Sequence, residues 1–105
     1  MTGPSIDIKR QDLDIVRTIL REGLPSSAKV WAFGSRAKGQ ARTSSDLDLA
    51  IDAGRKLALT ELSALNGAFE DSDLPYKVDL IDWTTVSETF KGIVEKDLVA
   101  LSLVG

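Results

Sequence analysis

The stretch that most constrains the fold is residues 46–53, Asp-Leu-Asp-Leu-Ala-Ile-Asp-Ala, in which two classes of side chain alternate. A period of two is typical of a β-strand that buries one of its faces. Gly54 follows and is expected to end the strand. The predicted apolar face contains Leu47, Leu49, Ile51 and Ala53, and the opposite face contains Asp46, Asp48, Ala50 and Asp52.

Amphipathic segments on either side of this strand indicate the fold class. In chain order we predict a helix over 7–22, strands over 29–33 and 46–53, a helix over 60–71, a strand over 76–81 and a final helix. Thr60 is a candidate N-cap of the second helix, and Thr85-Val86-Ser87-Glu88 matches a capping box for the last one. The order predicts an α/β (α+β) fold, with a short mixed sheet of three or slightly more strands and helices packed on one face.

The composition is that of an ordinary globular protein, with 43% hydrophobic and 28% charged residues. A length of 105 residues suits a single domain, which we expect to span 1–105. No apolar run approaches the roughly 18 residues that a membrane span needs. The first five residues, Met-Thr-Gly-Pro-Ser, carry no secretion or lipidation signal, so we expect a cytoplasmic protein without membrane association.

Two residue types are absent, and their absence narrows the possible chemistry. The chain has no cysteine, which excludes disulfides, thiolate zinc sites and thiol nucleophiles. It also has no histidine, which excludes a Ser-His-Asp triad and imidazole ligands. Catalysis would therefore depend on carboxylates, Lys, Arg, Ser, Thr or Tyr, and a metal would be a hard cation such as Mg²⁺ or Mn²⁺.

A basic segment lies between the second and third predicted elements. Arg36, Lys38 and Arg42 follow Gly34 without an intervening acid, although the net charge of the chain is −3. A local positive patch in an acidic protein suits a small polyphosphate better than a nucleic acid. Gly34 would allow close approach of the backbone to a ligand, and Ser35 offers a hydroxyl donor. Taken alone, a Gly-Ser pair after a strand is an ordinary turn.

Three aspartates are candidate ligands for a cation. Asp46 and Asp48 lie two residues apart, roughly 6.6 Å along a strand, with their side chains on the same face. They could converge on a metal, or Asp46 could cap the strand while Asp48 faces solvent. Asp79 interrupts the apolar strand 76–81, where it could complete a triad and accept a proton. Asp82 is expected to cap the following turn.

These residues together form a longer motif. Gly34-Ser35, Gly39 and residues 45–49, Ser-Asp-Leu-Asp-Leu, match the pattern G-S-x-x-x-G…S-D-x-D-L, which resembles the DNA polymerase β-like nucleotidyltransferase superfamily. More narrowly, the chain is similar to the minimal nucleotidyltransferases, the antitoxins encoded beside HEPN-domain toxins. Residues 34–39 resemble their G-S-R-A-R-G segment, Val78-Asp79-Leu80 their third-carboxylate strand, and residues 90–93 their closing helix.

The resemblance implies a reaction and a set of residues that carry it. The nucleotide phosphates would be bound by Gly34, Ser35, Arg36, Lys38 and Ser45, and Mg²⁺ or Mn²⁺ by the catalytic acids Asp46, Asp48 and Asp79. Lys38 stands where the family often has arginine, so it keeps the charge but lacks a bidentate fork. AMP would pass from ATP to a hydroxyl, a tyrosine, of a HEPN toxin, which would thereby be neutralised. A hetero-oligomer with the toxin is implied, and nucleic acid is not expected as a direct ligand.

Two other functions stay open at this stage. The chain could bind a nucleotide and neutralise its partner by complex formation alone, or it could act alone on a small molecule or RNA. The apolar residues 98–104 could pack within the chain or form a partner surface, and we favour the surface. Trp31 and Phe33 are expected to lie in the core because they fall within a strand.

Overall fold

The computed structural model describes residues 8–34 and 46–103. Its elements are α1 (Arg10–Gly23), β1 (Lys29–Phe33), β2 (Leu47–Asp52), α2 (Leu59–Glu70), β3 (Val78–Asp82), α3 (Glu88–Val94), a 3₁₀ turn (Glu95–Asp97) and β4 (Val99–Ala100). All six predicted elements are present, and β4 is additional. Over the described ranges, every helix is too short or too polar to cross a membrane.

The four strands form one mixed sheet in the order β3-β2-β1-β4. β1 pairs antiparallel with β2 and with β4, whereas β2 pairs parallel with β3. The parallel pair is connected through α2, as a parallel connection requires a crossover. The predicted α/β class with a short mixed sheet is therefore confirmed.

The main core lies on one face of the sheet, under α1 and α2. Val16 and Leu20 of α1 and Leu65 and Phe69 of α2 are buried in a cluster with side chains from the sheet. The predicted apolar face of β2 is confirmed, because Leu47, Leu49 and Ile51 are fully buried and Ala53 packs against them. This alternation turns the aspartates of β2 towards the opposite face.

The opposite face carries a smaller aromatic cluster. The ring of Phe90 in α3 meets Phe33 edge-on at 6.0 Å, and Trp31 lies 6.0 Å from Trp83. Trp31 and Phe33 are half-buried there, so the expectation that they join the main core is wrong. The helices are also not confined to one face, since α1 and α2 cover one and α3 meets the other. Trp31 and Phe33 lie on this second face because side chains alternate along β1, and Val30 and Ala32 occupy the face that points to the main core.

Two helix starts differ from their predictions. α2 begins after Ala58, whose N–H donates to the Glu61 carboxylate at 2.8 Å, so Thr60 is not its N-cap. α3 begins after Ser87, whose hydroxyl accepts from the Phe90 N–H at 3.1 Å. The Thr85 hydroxyl donates instead to the backbone carbonyl at position 82, which removes it from the predicted capping box.

The described part of the apolar C-terminal segment packs within the chain. Val99 and Ala100 form β4 on the outer edge of β1, and the Leu101 N–H donates to the Val30 carbonyl at 2.9 Å. Leu101 is only 7% exposed and Leu103 packs against the core. The interpretation as a partner surface is therefore wrong for the buried Val99 and Leu101; Val104 lies outside the described residues. Pairing with β1 satisfies backbone groups that would otherwise face solvent.

Candidate active site

Two of the three predicted acids lie side by side on the face opposite the main core. Asp48 of β2 and Asp79 of β3 are register partners in the parallel pair, so their side chains leave the same face of the sheet. Asp46 precedes β2 and is exposed. The structure thus brings Asp48 and Asp79 together from strands about thirty residues apart, and Asp46 lies at the entrance to β2.

The surroundings of Asp48 disfavour its negative charge. Partial burial raises the pKa of the Asp48 carboxyl, and the negative charges of Asp79 and Asp46 raise it further. Asp79 has a basic neighbour, since Lys77 Nζ lies 3.7 Å from its Oδ1, but both side chains are well exposed. Such an exposed ion pair contributes little. The negative charges of Asp46 and Asp79 therefore act on Asp48, and a bound cation would stabilise the ionised Asp48 carboxylate.

Gly34 follows β1 directly and lies against the Asp48 carboxylate. Its φ is +80°, a conformation that L side chains rarely adopt. A Cβ atom at this position would overlap Asp48 Oδ2. Gly54 has a nearly identical φ of +79°, yet a Cβ there would meet nothing within 4 Å. Gly34 is therefore needed for close approach to the acid as well as for its backbone conformation.

The donor set at this site fits a hard divalent cation. Asp46, Asp48 and Asp79 provide only carboxylate oxygens, the ligands that Mg²⁺ and Mn²⁺ prefer. The raised pKa of Asp48 shows the charge accumulation that such a cation would relieve. Across residues 8–34 and 46–103, no three acidic side chains already converge as a ready-made ligand set. A metal role for the three acids stays a prediction.

Most of the predicted phosphate-binding residues cannot be placed beside these acids. Ser35, Arg36, Lys38 and Ser45 lie outside the described residues. Gly34 is the described member of the group, and it borders Asp48. The phosphate-binding role of all five stays a prediction.

The sequence did not lead us to predict the aromatic side chains that border the site. Phe33 is the register partner of Asp48, so its ring shares the face of the acids, and Phe90 packs on it. The alternation of β1 contained the signal for Phe33, because Val30 and Ala32 belong to the other face. Phe90 had no comparable signal, since its contact depends on where α3 docks.

Asp82, the other acid of β3, has a structural role. Its Oδ1 accepts hydrogen bonds from the Thr84 N–H at 3.0 Å and the Thr84 hydroxyl at 2.7 Å, which confirms the predicted turn cap. Its Oδ2 also accepts from the Leu57 N–H at 2.8 Å, a contact that links β3 to the loop before α2. Burial alone would raise the pKa of Asp82, but these hydrogen bonds and the charge of Lys56 outweigh it and lower the pKa.

A comparison with protein families bears on the predicted nucleotidyltransferase fold. Residues 15–101 match the family described as polymerase beta, nucleotidyltransferase. The chain belongs to the polymerase beta nucleotidyltransferase family. The predicted superfamily, fold and enzyme class are therefore confirmed.

Two individual proteins show which members of this family the chain resembles. The chain is 49% identical over 96 residues to a Haemophilus influenzae protein named probable protein adenylyltransferase MntA, covering 91% of this chain and 83% of the relative. It is also similar to a solved structure described as the crystal structure of the toxin-antitoxin with AMP-PNP. That match has a TM-score of 0.71 and 27% identity, and covers 87% of this chain and 73% of the other. The predicted similarity to minimal nucleotidyltransferase antitoxins is confirmed.

Proposed function

We propose that this chain is an antitoxin that transfers AMP from ATP to a hydroxyl, a tyrosine, of a HEPN toxin and thereby neutralises it. The observation that carries the proposal is the register pairing of Asp48 with Asp79 beside Gly34. The name of the Haemophilus influenzae relative supports AMP transfer to protein, and the AMP-PNP in the toxin–antitoxin structure supports ATP as the donor.

Asp46, Asp48 and Asp79 would hold Mg²⁺ in this reaction. When bound, Mg²⁺ would neutralise charge on the triphosphate and on the departing pyrophosphate. Gly34 leaves room for the Asp48 carboxylate at the end of β1. The predicted phosphate-binding residues Gly34, Ser35, Arg36, Lys38 and Ser45 would hold the triphosphate.

The transfer itself exchanges one phosphorus–oxygen bond for another. The acceptor oxygen attacks the α-phosphorus of ATP, the bond from that phosphorus to the bridging oxygen of the β-phosphate breaks, and pyrophosphate leaves. The acceptor proton passes to the Asp79 carboxylate. Asp79 suits this role because its side chain is 44% exposed on the edge strand, so a large acceptor can reach it.

Mass spectrometry of the protein encoded by the adjacent gene tests the proposal. We expect that protein to gain one or more AMP units on incubation with this chain, Mg²⁺ and ATP. Asp46→Asn/Asp48→Asn and Asp79→Asn should each lose at least a hundredfold in rate, because both remove charge that binds or activates the reactants. Asp52→Asn is the matched control, since it lies on the same face at the far end of β2 and its amide can still accept from Gly54.

The outcomes separate the three functions that the sequence left open. No added AMP, together with full neutralisation by the Asp46→Asn/Asp48→Asn variant, would establish neutralisation by complex formation instead. AMP on RNA or on a small molecule, with none on the protein, would establish the stand-alone enzyme. Equal rates for Asp79→Asn and Asp52→Asn would remove Asp79 from the mechanism.

A further inference from the structure

The outer edge of β3 has backbone groups that the sheet does not use. The Lys77 carbonyl accepts from β2 at 2.9 Å, and the Trp83 N–H donates to β2 at 2.8 Å. Because alternate residues of a parallel strand face the neighbouring strand, the backbone groups of Val78 and Leu80 point away from β2. Among the described residues, the backbone hydrogen bonds outside helices and strands do not involve either residue. The edge is therefore free to pair.

A cleft of about 390 Å³ lies beside this edge. Its walls are the C-terminal half of α2, through Asn66, Phe69 and Glu70, and the strand residues Val78, Asp79 and Leu80. A second cleft, of about 420 Å³, is lined by residues within 26–31 and 100–103, near the other edge of the sheet from Asp79. An open row of donors and acceptors with space beside it suits an extended polypeptide.

The cleft beside β3 and the candidate active site share one residue, Asp79. Asp79 lines the cleft and is also the register partner of Asp48. In a strand added to β3, the residue opposite Asp79 would place its Cβ about 5 Å from that of Asp79, on the same face. Its two neighbours would turn towards α2. An added strand would thus deliver one side chain to the acids.

We infer that the free edge of β3 binds the acceptor segment of the protein substrate as an added β-strand, with the acceptor hydroxyl facing Asp79. The inference rests on the proposed function, because it describes how that same site receives its protein substrate. Glu70 and Asp79 make the cleft more acidic than its one cation, Lys77, can balance. This charge disfavours RNA phosphates and favours a polypeptide with a basic residue next to the acceptor, opposite Glu70.

Hydrogen exchange tests the pairing without any substitution. The full chain is mixed with the protein encoded by the adjacent gene, and amide exchange is compared with that of the free chain. We expect the Val78 and Leu80 amides to exchange at least tenfold more slowly in the complex. Unchanged exchange at both amides in a formed complex would overturn the inference. The inference would also be overturned if the Val78 and Leu80 amides exchanged as slowly in the chain alone, at the same concentration, as they do in the complex. The edge would then pair with a second copy of the chain.

A pair of substitutions at Leu80 tests the same edge by kinetics. Leu80→Pro and Leu80→Ala both lose the packing of the leucine side chain, but only proline also removes the outward N–H. We expect the KM for the acceptor protein to be about tenfold higher in Leu80→Pro than in Leu80→Ala, with equal affinities for Mg-ATP. Equal KM values in two folded variants would overturn the inference. If Leu80→Pro does not fold, the exchange experiment decides.

The failure of this inference can be told apart from failure of the proposed function. If the wild-type chain transfers AMP but the edge amides stay unprotected and the two Leu80 variants have equal KM values, AMP transfer stands and the strand pairing falls. If no AMP is transferred but Val78 and Leu80 become protected in the complex, the edge is a partner site and the transfer falls.

Discussion

Replacing Gly34 with alanine tests whether the close approach to Asp48 matters for activity. Gly34 has a φ of +80°, and an added Cβ would overlap Asp48 Oδ2. Gly54→Ala is the matched control, because its φ of +79° imposes the same backbone strain while its Cβ meets nothing within 4 Å. The two variants differ mainly in whether the new methyl group displaces the carboxylate.

The expected magnitudes follow from these contacts. An alanine in the left-handed region costs about 1–2 kcal/mol, so both variants should lose that much free energy of unfolding. For a domain of this size each kcal/mol lowers Tm by roughly 4–8 °C. In Gly34→Ala the Asp48 carboxylate must also rotate away, and a displacement of about 1 Å at a reacting site costs on the order of a hundredfold in rate.

Two measurements check this prediction. Denaturant titration gives the free energy of unfolding of each variant, and AMP transfer to the protein encoded by the adjacent gene gives the rate. We expect similar stability losses, with the hundredfold rate loss confined to Gly34→Ala. Equal rates for Gly34→Ala and Gly54→Ala would refute the reasoning.

Three further predictions concern stability. Asp82→Asn should destabilise the chain by about 2–3 kcal/mol, because the buried carboxylate accepts the Leu57 N–H. The pKa of Asp82 is lower in the folded state than in the unfolded state, so its contribution to the free energy of unfolding is present above the unfolded-state pKa. That contribution is lost as the pH falls through the folded-state pKa. In an acid titration, Asp82→Asn should therefore lose less free energy of unfolding than the wild-type chain. Gly67→Ala should raise the free energy of unfolding by about 0.5–1 kcal/mol, because its Cβ would enter open space in α2; a lower midpoint in urea would contradict this. Leu101→Ala should cost about 2–4 kcal/mol in the chain without a partner, as measured by thermal unfolding, whereas a residue exposed for partner binding would cost almost nothing.

The residues of the candidate site were not equally easy to identify from the sequence. Asp48 and Gly34 could be singled out from local patterns, since a strand alternates and a glycine commonly follows its end. Local patterns identified Asp79 only as an acid in an apolar strand, because nothing local to residues 76–81 says which strand lies beside it. Its grouping with Asp46 and Asp48 came from the resemblance to the nucleotidyltransferases. The register with Asp48 depends on how α2, which connects the two strands, packs on the sheet, and the paired residues are distant in sequence.

Sequence alone determined which face of β2 is buried and which acids share a strand face, because the partition of apolar and polar groups follows the period of the local backbone. Only the tertiary structure decided that Asp79 stands beside Asp48, that α3 meets the sheet face of Phe33, and that Val99 and Ala100 close the edge of β1. These features are pairings between segments far apart in the chain, and their free energy comes from contacts that exist only once the segments have packed. The Asp48–Asp79 pair is therefore a product of the fold, whereas Asp46 and Asp48 are a pair in the sequence itself.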